Sequence, residues 1–349
     1  MNDVGGKKLL IIKLRYIGDT MTLLPVIDNL KEQAHEITLD VMVNKGTEEV
    51  LVCHPDIRKL WVYDREQAKK NIILSISYHK NFIKKLRLER YDFVIDFTHG
   101  DRAAFLSFMT GAPRRITYRN SSTFSQIFMN CFIRSNPSEH HIVDYQLQAL
   151  KFFGINHYKR KMNLHIPESM GLKVDNLLSA AGICHDSLKV VIHPSARGRL
   201  RQWRPERFAE IAKRLRERYK AAIILVGGPG ENDLVEEVER YMGFSASFKS
   251  TRLSLLEMAA LLKQSQLFIG NDSAPAHIAA AVHCPQLTLF GPTFPHMWRP
   301  LSYMGEVVFK NEPCCGCRQE SCIHPVPRCM DLIEVGEVWE KVEKLLISF

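Results

Sequence analysis

No apolar run among the 349 residues reaches the roughly 18 that a membrane-spanning helix needs. The opening stretch, MNDVGGKK followed by LLII, lacks the small-residue cleavage pattern of a signal peptide. These two absences exclude a helical membrane-spanning protein and lead us to expect a cytoplasmic chain. With no secretory signal, the nine cysteines do not read as a disulfide framework. Neither a helix-turn-helix pattern nor an aromatic RNA-binding signature occurs, so nucleic acid is not expected as a partner.

What is present is enough length for two domains with separate cores. The composition is ordinary for a globular protein, 46% hydrophobic and 24% charged, and the formal charge is +9. The positive charge gathers at Lys84-Lys85-Leu86-Arg87, from Arg197 to Arg207 and from Lys213 to Arg218. Such clusters attract phosphates, whether of a nucleotide or of an anionic membrane surface, although a solvated helix face accounts for the last of them.

Strand and helix patterns alternate along the chain. Lys8 to Lys13 is an apolar strand, Thr20 to Gln33 a helix with Leu23, Leu24, Ile27 and Leu30 near a 3.6 period, and Ile37 to Val43 the next strand. Leu60 to Tyr63 and Phe93 to Phe97 follow as strands, with a basic helix around Asn81 to Arg90 between them. A second half repeats the pattern, with strands at Val190 to His193 and Ala222 to Val226 and helices at Pro205 to Tyr219, Asn232 to Tyr241 and Ser254 to Lys263. This alternation predicts parallel, doubly wound sheets. A last helix, Val335 to Ile347, is expected to pack back against the first half.

The stretch FIGNDSAPAHIAAAVHCPQLTLFGP, from Phe268 to Pro292, concentrates the chemistry. Gln266 to Ile269 reads as the end of a buried strand, Gly270 is free to take a φ > 0 turn, and Asn271, Asp272 and Ser273 read as polar caps for a small-residue helix, Ala274 to Val282, with Pro275 in its first turn. A second strand, Gln286 to Phe290, follows. Strand, capped helix and strand put backbone N–H groups at the carboxyl edge of a parallel sheet, where anionic ligands bind; ordinary capping explains the same residues. Asp19, directly after a strand and a glycine, is placed as a general base for a sugar hydroxyl or, equally, as a helix N-cap.

Taken in order, KLRYIGDTMTLLPVIDNLK, VVIHPSARGRLRQWRPERFAEIAKRL, LVGGPGE, FIGNDSAPAHIAAA and LFGPT make the chain resemble the ADP-heptose:lipopolysaccharide heptosyltransferases over about its whole length. The DSAPAH form and the WRP after LFGPT are most similar to the heptosyltransferase III branch. The resemblance implies an α/β GT-B fold of two Rossmann-like domains facing each other across a cleft. Residues 1–168 would bind the acceptor, residues 169–330 the ADP-sugar, and residues 331–349 would form the returning helix. It implies inverting transfer of L-glycero-D-manno-heptose from ADP-heptose to the lipopolysaccharide inner core, with no cofactor required. A lipid acceptor implies peripheral work at the inner face of the cytoplasmic membrane.

Residue by residue, the resemblance makes Asp19 the catalytic base. Arg201 stands where the family usually has a lysine on the donor phosphates, and an arginine keeps the charge while adding a fork that matches phosphate. Asp272 matches the acid that contacts donor hydroxyls. Ser273 and Ala274 match the turn that holds the diphosphate, and His277 a histidine one turn later, which reads equally as a core histidine. Ala274 replaces a common family glycine, which φ must permit. Gly227 and Gly228 match a turn near the adenosine, and Pro194, Ser195 and Ala196 its strand-end loop. For Arg197, Arg199 and Arg204, solvent exposure is the competing reading. Arg15, His99, Gly100 and Arg102 are expected at the acceptor, where basic residues suit a phosphorylated core.

Five cysteines lie between Cys314 and Cys329. Cys314, Cys317, Cys322 and Cys329, with His324 near, have spacing compatible with a structural metal, while reduced thiols in an ordinary loop are the favoured reading. Two rivals to the heptose reading are a GT-B transferase using another sugar nucleotide and a non-catalytic nucleotide-binding protein on the same scaffold.

Overall fold

The computed structural model describes residues 5–69, 71–119, 121–317, 321–323 and 328–347. The chain divides into two compact units, Met1–His165 and Ile166–Phe349. In the first unit, six parallel strands form one sheet: β1 (Lys8–Lys13), β2 (Thr38–Asn44), β3 (Lys59–Tyr63), β4 (Phe93–Asp96), β5 (Arg114–Tyr118) and β6 (Cys131–Ile133). Their order is β3-β2-β1-β4-β5-β6. The central strand β1 is buried on both faces, which is why its sequence is a continuous apolar run and not an alternating one. Leu9 pairs with Leu39 on one side and with Phe93 on the other.

The second unit repeats this plan with β7 (Lys189–His193), β8 (Ala222–Val226), β9 (Phe248–Ser250), β10 (Leu267–Asn271), β11 (Gln286–Phe290) and β12 (Gly305–Phe309). The order β12-β11-β10-β7-β8-β9 is the same doubly wound arrangement. In each sheet the winding reverses beside the first strand, between β1 and β4 and between β7 and β10. Doubly wound sheets bind ligands outside the carboxyl ends of the strands at that reversal.

Five features depart from the sequence reading. The basic helix read around Asn81 to Arg90 runs from Ile72 to Leu88. Gly270 makes no turn, because β10 continues through it to Asn271. The helix expected from Thr20 to Gln33 is two helices, Ile17–Met21 and Leu24–Gln33, because Pro25 in the first turn of the second has no N–H to continue the ladder. The strands β6, β9 and β12 were not expected; each is a partly exposed sheet-edge strand, β6 and β9 with only three residues, too few to declare a period, and β12 with little of its length buried. Finally, the helix Val335–Ile347, expected to pack against the first half, spends its apolar stripe on the second unit. Val338, Val342 and Leu345 are buried in the second unit's core with Leu215, Leu287 and Val308, so its apolar stripe is already covered there.

Candidate active site

At the reversal of the first sheet, β1 ends in Lys13, which is 3% exposed in spite of its charge. Its Nζ donates to the Phe97 carbonyl at 3.1 Å. With the Gln146 amide turned to satisfy its neighbours, Nζ also donates to Oε1 at 3.0 Å. Asp19 Oδ1 lies 3.9 Å away. Burial lowers the Lys13 pKa, against the pull of the Asp19 carboxylate. Asp19 sits in the first turn of helix Ile17–Met21, but Tyr16 and not Asp19 is the N-cap. The capping explanation for Asp19 therefore fails, and its carboxylate stays half-buried beside a cation.

The neighbouring strand β4 ends in a second carboxyl. Asp96 is wholly buried, and burial pushes it up to about 6. Its Oδ1 accepts the Thr98 N–H at 2.7 Å, while Oδ2 has no hydrogen-bond partner among the described residues. Thr98 in turn locks the two strand ends together: its Oγ1 accepts the Leu14 N–H at 2.8 Å and its carbonyl accepts Arg15 Nε at 3.0 Å.

Of the expected acceptor residues, Arg15, His99 and Gly100 come to this same edge. His99 takes a left-handed backbone with φ of 60°, uncommon away from glycine. Its ring stacks on Tyr118 at 4.9 Å between centroids. Burial, with the Lys13 and Arg15 charges, holds it down at about 3, so the ring is neutral near pH 7 and adds no positive charge there. Gly100 is the N-cap of helix Asp101–Met109. Arg102, in that helix, is exposed and lies 5.7 Å from the centre of the Tyr63 ring, toward β3.

The second sheet's reversal is built differently. Asn271 is not a cap: its Nδ2 donates to the Pro194 carbonyl at 2.7 Å and its Oδ1 accepts the Trp203 N–H at 3.1 Å, tying the ends of β7 and β10 to the arginine-rich loop. Asp272, 6% exposed, accepts from the Thr293 hydroxyl and pairs with Arg201 Nη1 at 3.3 Å. Ser273 is the N-cap of helix Ala274–Ala281 but makes no side-chain cap bond, and its buried Oγ has no partner among the described residues. Ala274 lies within the helix at negative φ, so the loss of the family glycine strains nothing. His277 is buried on the same helix, 6% exposed.

Pro194, Ser195 and Ala196 are all buried at the end of β7. His193 Nε2 lies 3.5 Å from Glu231 Oε2, and the Gly228 N–H donates to that oxygen at 2.6 Å. Burial works to raise the Glu231 carboxyl, but the bonds from His193, Gly228 and Ser195 prevail and hold it at about 2. Gly227 is required for packing: a Cβ there would meet Val235 Cγ2 at 2.9 Å. Arg197 and Arg199 are exposed. Arg204 is not merely solvated, because its Nε pairs with the buried Asp331 at 2.7 Å.

Two unlike sheet edges thus emerge, one with a carboxylate beside a buried amine and one with a guanidinium, a bare hydroxyl and a helix start suited to an anion. Residues 79–326 match the family Glycosyltransferase family 9 (heptosyltransferase). The chain belongs to glycosyltransferase family 9. It is 31% identical over 299 residues to lipopolysaccharide heptosyltransferase 3 of Escherichia coli K12, covering 82% of this chain and 83% of that one. It is 23% identical over 306 residues to the lipopolysaccharide core heptosyltransferase OpsX of Haemophilus influenzae, covering 86% and 84%. Among solved structures, the family 9 glycosyltransferase from Veillonella parvula DSM 2008 superposes with a TM-score of 0.86 at 21% identity, over 99% of both chains. The E. coli heptosyltransferase WaaC with ADP gives 0.77 at 17% identity, over 97% and 99%. These likenesses fix the fold as GT-B and, with the family match, make the chain a glycosyltransferase.

Three groups of this family 9 chain escaped the sequence reading, Lys13, Asp96 and Glu231, while Asn271 was read only as a cap. Lys13 and Asp96 end apolar strands and Glu231 precedes a helix, and Lys13 closing the run LLII was the most readable signal. In the cysteine segment, Cys314, Cys315, Cys317, Cys322 and Cys329 line one pocket with Leu200 and Arg328. Burial pushes the Cys329 thiol up to about 11. Among the described residues these sulfurs do not draw together into a metal-sized group of three, and His324 lies outside the described residues. The one such group is Asp28, His54 and His165. There, His54 Nδ1 accepts the Asp56 N–H at 3.3 Å, which leaves the ring proton on Nε2, aimed at Asp28 Oδ1 3.1 Å away. Asp28 and His54 are thus a hydrogen-bonded pair, and the His165 ring stands edge-on to His54 with centroids 4.8 Å apart.

Proposed function

We propose that the chain moves L-glycero-D-manno-heptose from ADP-heptose to the inner core of lipopolysaccharide, with inversion at the anomeric carbon. The observation that carries the reading is the pairing of Arg201 with Asp272 beside the unbonded Ser273 hydroxyl at the start of helix Ala274–Ala281. An incoming diphosphate offers Arg201 a better partner than the aspartate, frees Asp272 for a donor hydroxyl and gives the bare Ser273 Oγ an acceptor. The adenosine lies toward Gly227 and Gly228.

In the first unit, Asp19 takes the proton of the acceptor hydroxyl as that oxygen bonds to the anomeric carbon. The bond from that carbon to the diphosphate breaks, and ADP leaves with its negative charge met by Arg201 and the N–H groups at Ser273 and Ala274. Every atom is accounted for without a covalent sugar intermediate, and no cofactor is called for. Arg15, with Gly100 and Arg102, meets the acceptor's phosphates. No helix among the described residues is long and apolar enough to cross a membrane. We therefore read the enzyme as cytoplasmic, visiting the inner face of the membrane where its lipid acceptor resides.

Calorimetry with ADP-heptose, UDP-sugars and GDP-sugars tests the donor. ADP-heptose should bind at least tenfold more tightly than the others; binding confined to a UDP- or GDP-sugar would replace the donor assignment.

A further inference from the structure

Helix Ile72–Leu88 spends one face on the core of the first unit. Phe82 and Leu86 are buried there against Trp61, Tyr63 and Tyr91, and the Tyr78 ring stacks on Phe82 at 5.7 Å. Its opposite face has no packing duty, yet it carries large aliphatic side chains: Leu74 is 50% exposed, Ile76 61% and Leu88 71%. Between them stand Lys80, Lys84, Lys85 and Arg87, all exposed, and the residues of that face include no carboxylate. Sporadic exposed leucines are normal, but aliphatics sharing one helix face with unopposed cations are not.

The pattern continues on adjoining elements. Helix Asp101–Met109 packs beside helix Ile72–Leu88 and against helix Thr123–Phe128. Phe105, Phe108 and Ile127 are 38%, 47% and 71% exposed on these two helices. Charge decides what covers such a surface. A protein partner or a second copy of this chain would bring polar pairs for the lysines, and this face offers itself no carboxylates. An anionic bilayer supplies phosphates for the cations and acyl chains for the aliphatics together.

We propose that the outward face of helix Ile72–Leu88 is the surface on which the protein docks to anionic phospholipid. The helix then lies in the plane of the interface, with Lys80, Lys84 and Arg87 at the phosphates, Ile76 on one side of them and Leu74 and Leu88 on the other reaching between the headgroups. The assignment rests on the reading of the acceptor as a lipid and locates where that reading is executed.

The test is co-sedimentation of the full chain with vesicles of phosphatidylethanolamine and phosphatidylglycerol, against neutral phosphatidylcholine. The triple variant Lys80→Ser, Lys84→Ser, Lys85→Ser should weaken binding to anionic vesicles about a hundredfold, at about fivefold per lysine. A charge-matched control on the second unit, Arg240→Ser, Arg252→Ser, Lys263→Ser, should lose far less. Ile76→Ser with Leu74→Ser should weaken binding at high salt, where only the apolar term survives. Equal losses in the two triple variants would overturn the assignment, since overall charge would then be the cause. So would a concentration-dependent dimer, seen by sedimentation without vesicles, that Ile76→Ser dissolves. Transfer to a short, water-soluble acceptor should be unchanged in the helix variants. Vesicle binding with no transfer by wild type would count against the enzymatic reading, while transfer without vesicle binding would count against the docking surface alone.

Discussion

The two sheets share one strand order, yet their carboxyl edges are chemically unlike. At the first, charge is buried and under-compensated: Lys13 is held by carbonyls, Asp96 keeps one oxygen bare and His99 is forced neutral. At the second, almost every charge is answered, Glu231 by three donors, Asp272 by Arg201 and Thr293, Arg204 by Asp331. The first arrangement suits moving a proton, because groups whose ionisation is strained respond strongly to a new neighbour. The second suits holding a dianion, because a preorganised set of donors needs no rearrangement when it arrives. One topology therefore supports two tasks, set by which residues end the strands.

The sharpest way to break this contrast is at Asp19. Asp19→Asn should lower kcat by about 10²–10⁴-fold, the usual worth of a positioned base. ADP affinity by calorimetry should stay within about twofold, because the second edge is untouched. Wild-type turnover in this variant would remove the proton-transfer role from the first sheet.

Lys13 comes next. Lys13→Met removes the cation 3.9 Å from Asp19, and kcat should fall about tenfold to a hundredfold, the range of a charge-assisted contact. ADP affinity should stay within about twofold, because the second edge is untouched. A lowered melting temperature with unchanged kcat would mean that Lys13 only supports the fold.

Much of this architecture was legible in the sequence, and the exceptions have physical causes. β1, β8 and β11 and the helices Pro205–Tyr219 and Val335–Ile347 fall where their periods and breaks put them, because each is buried on a defined face. The edge strands β6, β9 and β12 were invisible, being half-covered and, for β6 and β9, only three residues long. The C-terminal helix was legible as a helix but not in its destination, since an apolar stripe does not say which core completes it. At the site, Asp272 and Ser273 declared themselves by composition as cap residues, yet neither makes a side-chain cap bond. Asp96 gave no signal at all: the burial that raises its carboxyl comes from packing across strands that no local pattern records.

That burial yields a comparison of opposite sign between the units. Asp96 stands at about 6 in the fold against an ordinary 3.8, so the unfolded chain ionises first. Its contribution to stability is full below about 3.8 and is lost as pH rises through about 6. Glu231 stands at about 2 against an ordinary 4.5, so its contribution is present above 4.5 and is lost as pH falls toward 2. Urea denaturation across pH should show Asp96→Asn flattening the first window by on the order of 2 kcal/mol. Glu231→Gln should flatten the second by about 1 kcal/mol, less because the carboxylate is partly solvated. Matching slopes in the two variants would mean that the edges do not differ electrostatically as argued.

The smallest effect is expected at Ser273. Its Oγ is buried with no hydrogen-bond partner among the described residues, so in the free protein Ser273→Ala gives up a desolvated hydroxyl and no bond. Melting temperature should hold or rise slightly, whereas a serine that served as a working N-cap would lose about 1 kcal/mol. ADP affinity should fall about three- to tenfold, because the hydroxyl finds its acceptor only when the diphosphate is present. A destabilised variant with unchanged ADP affinity would make Ser273 a structural residue, and the second edge would then hold its anion through Arg201 and the helix start alone.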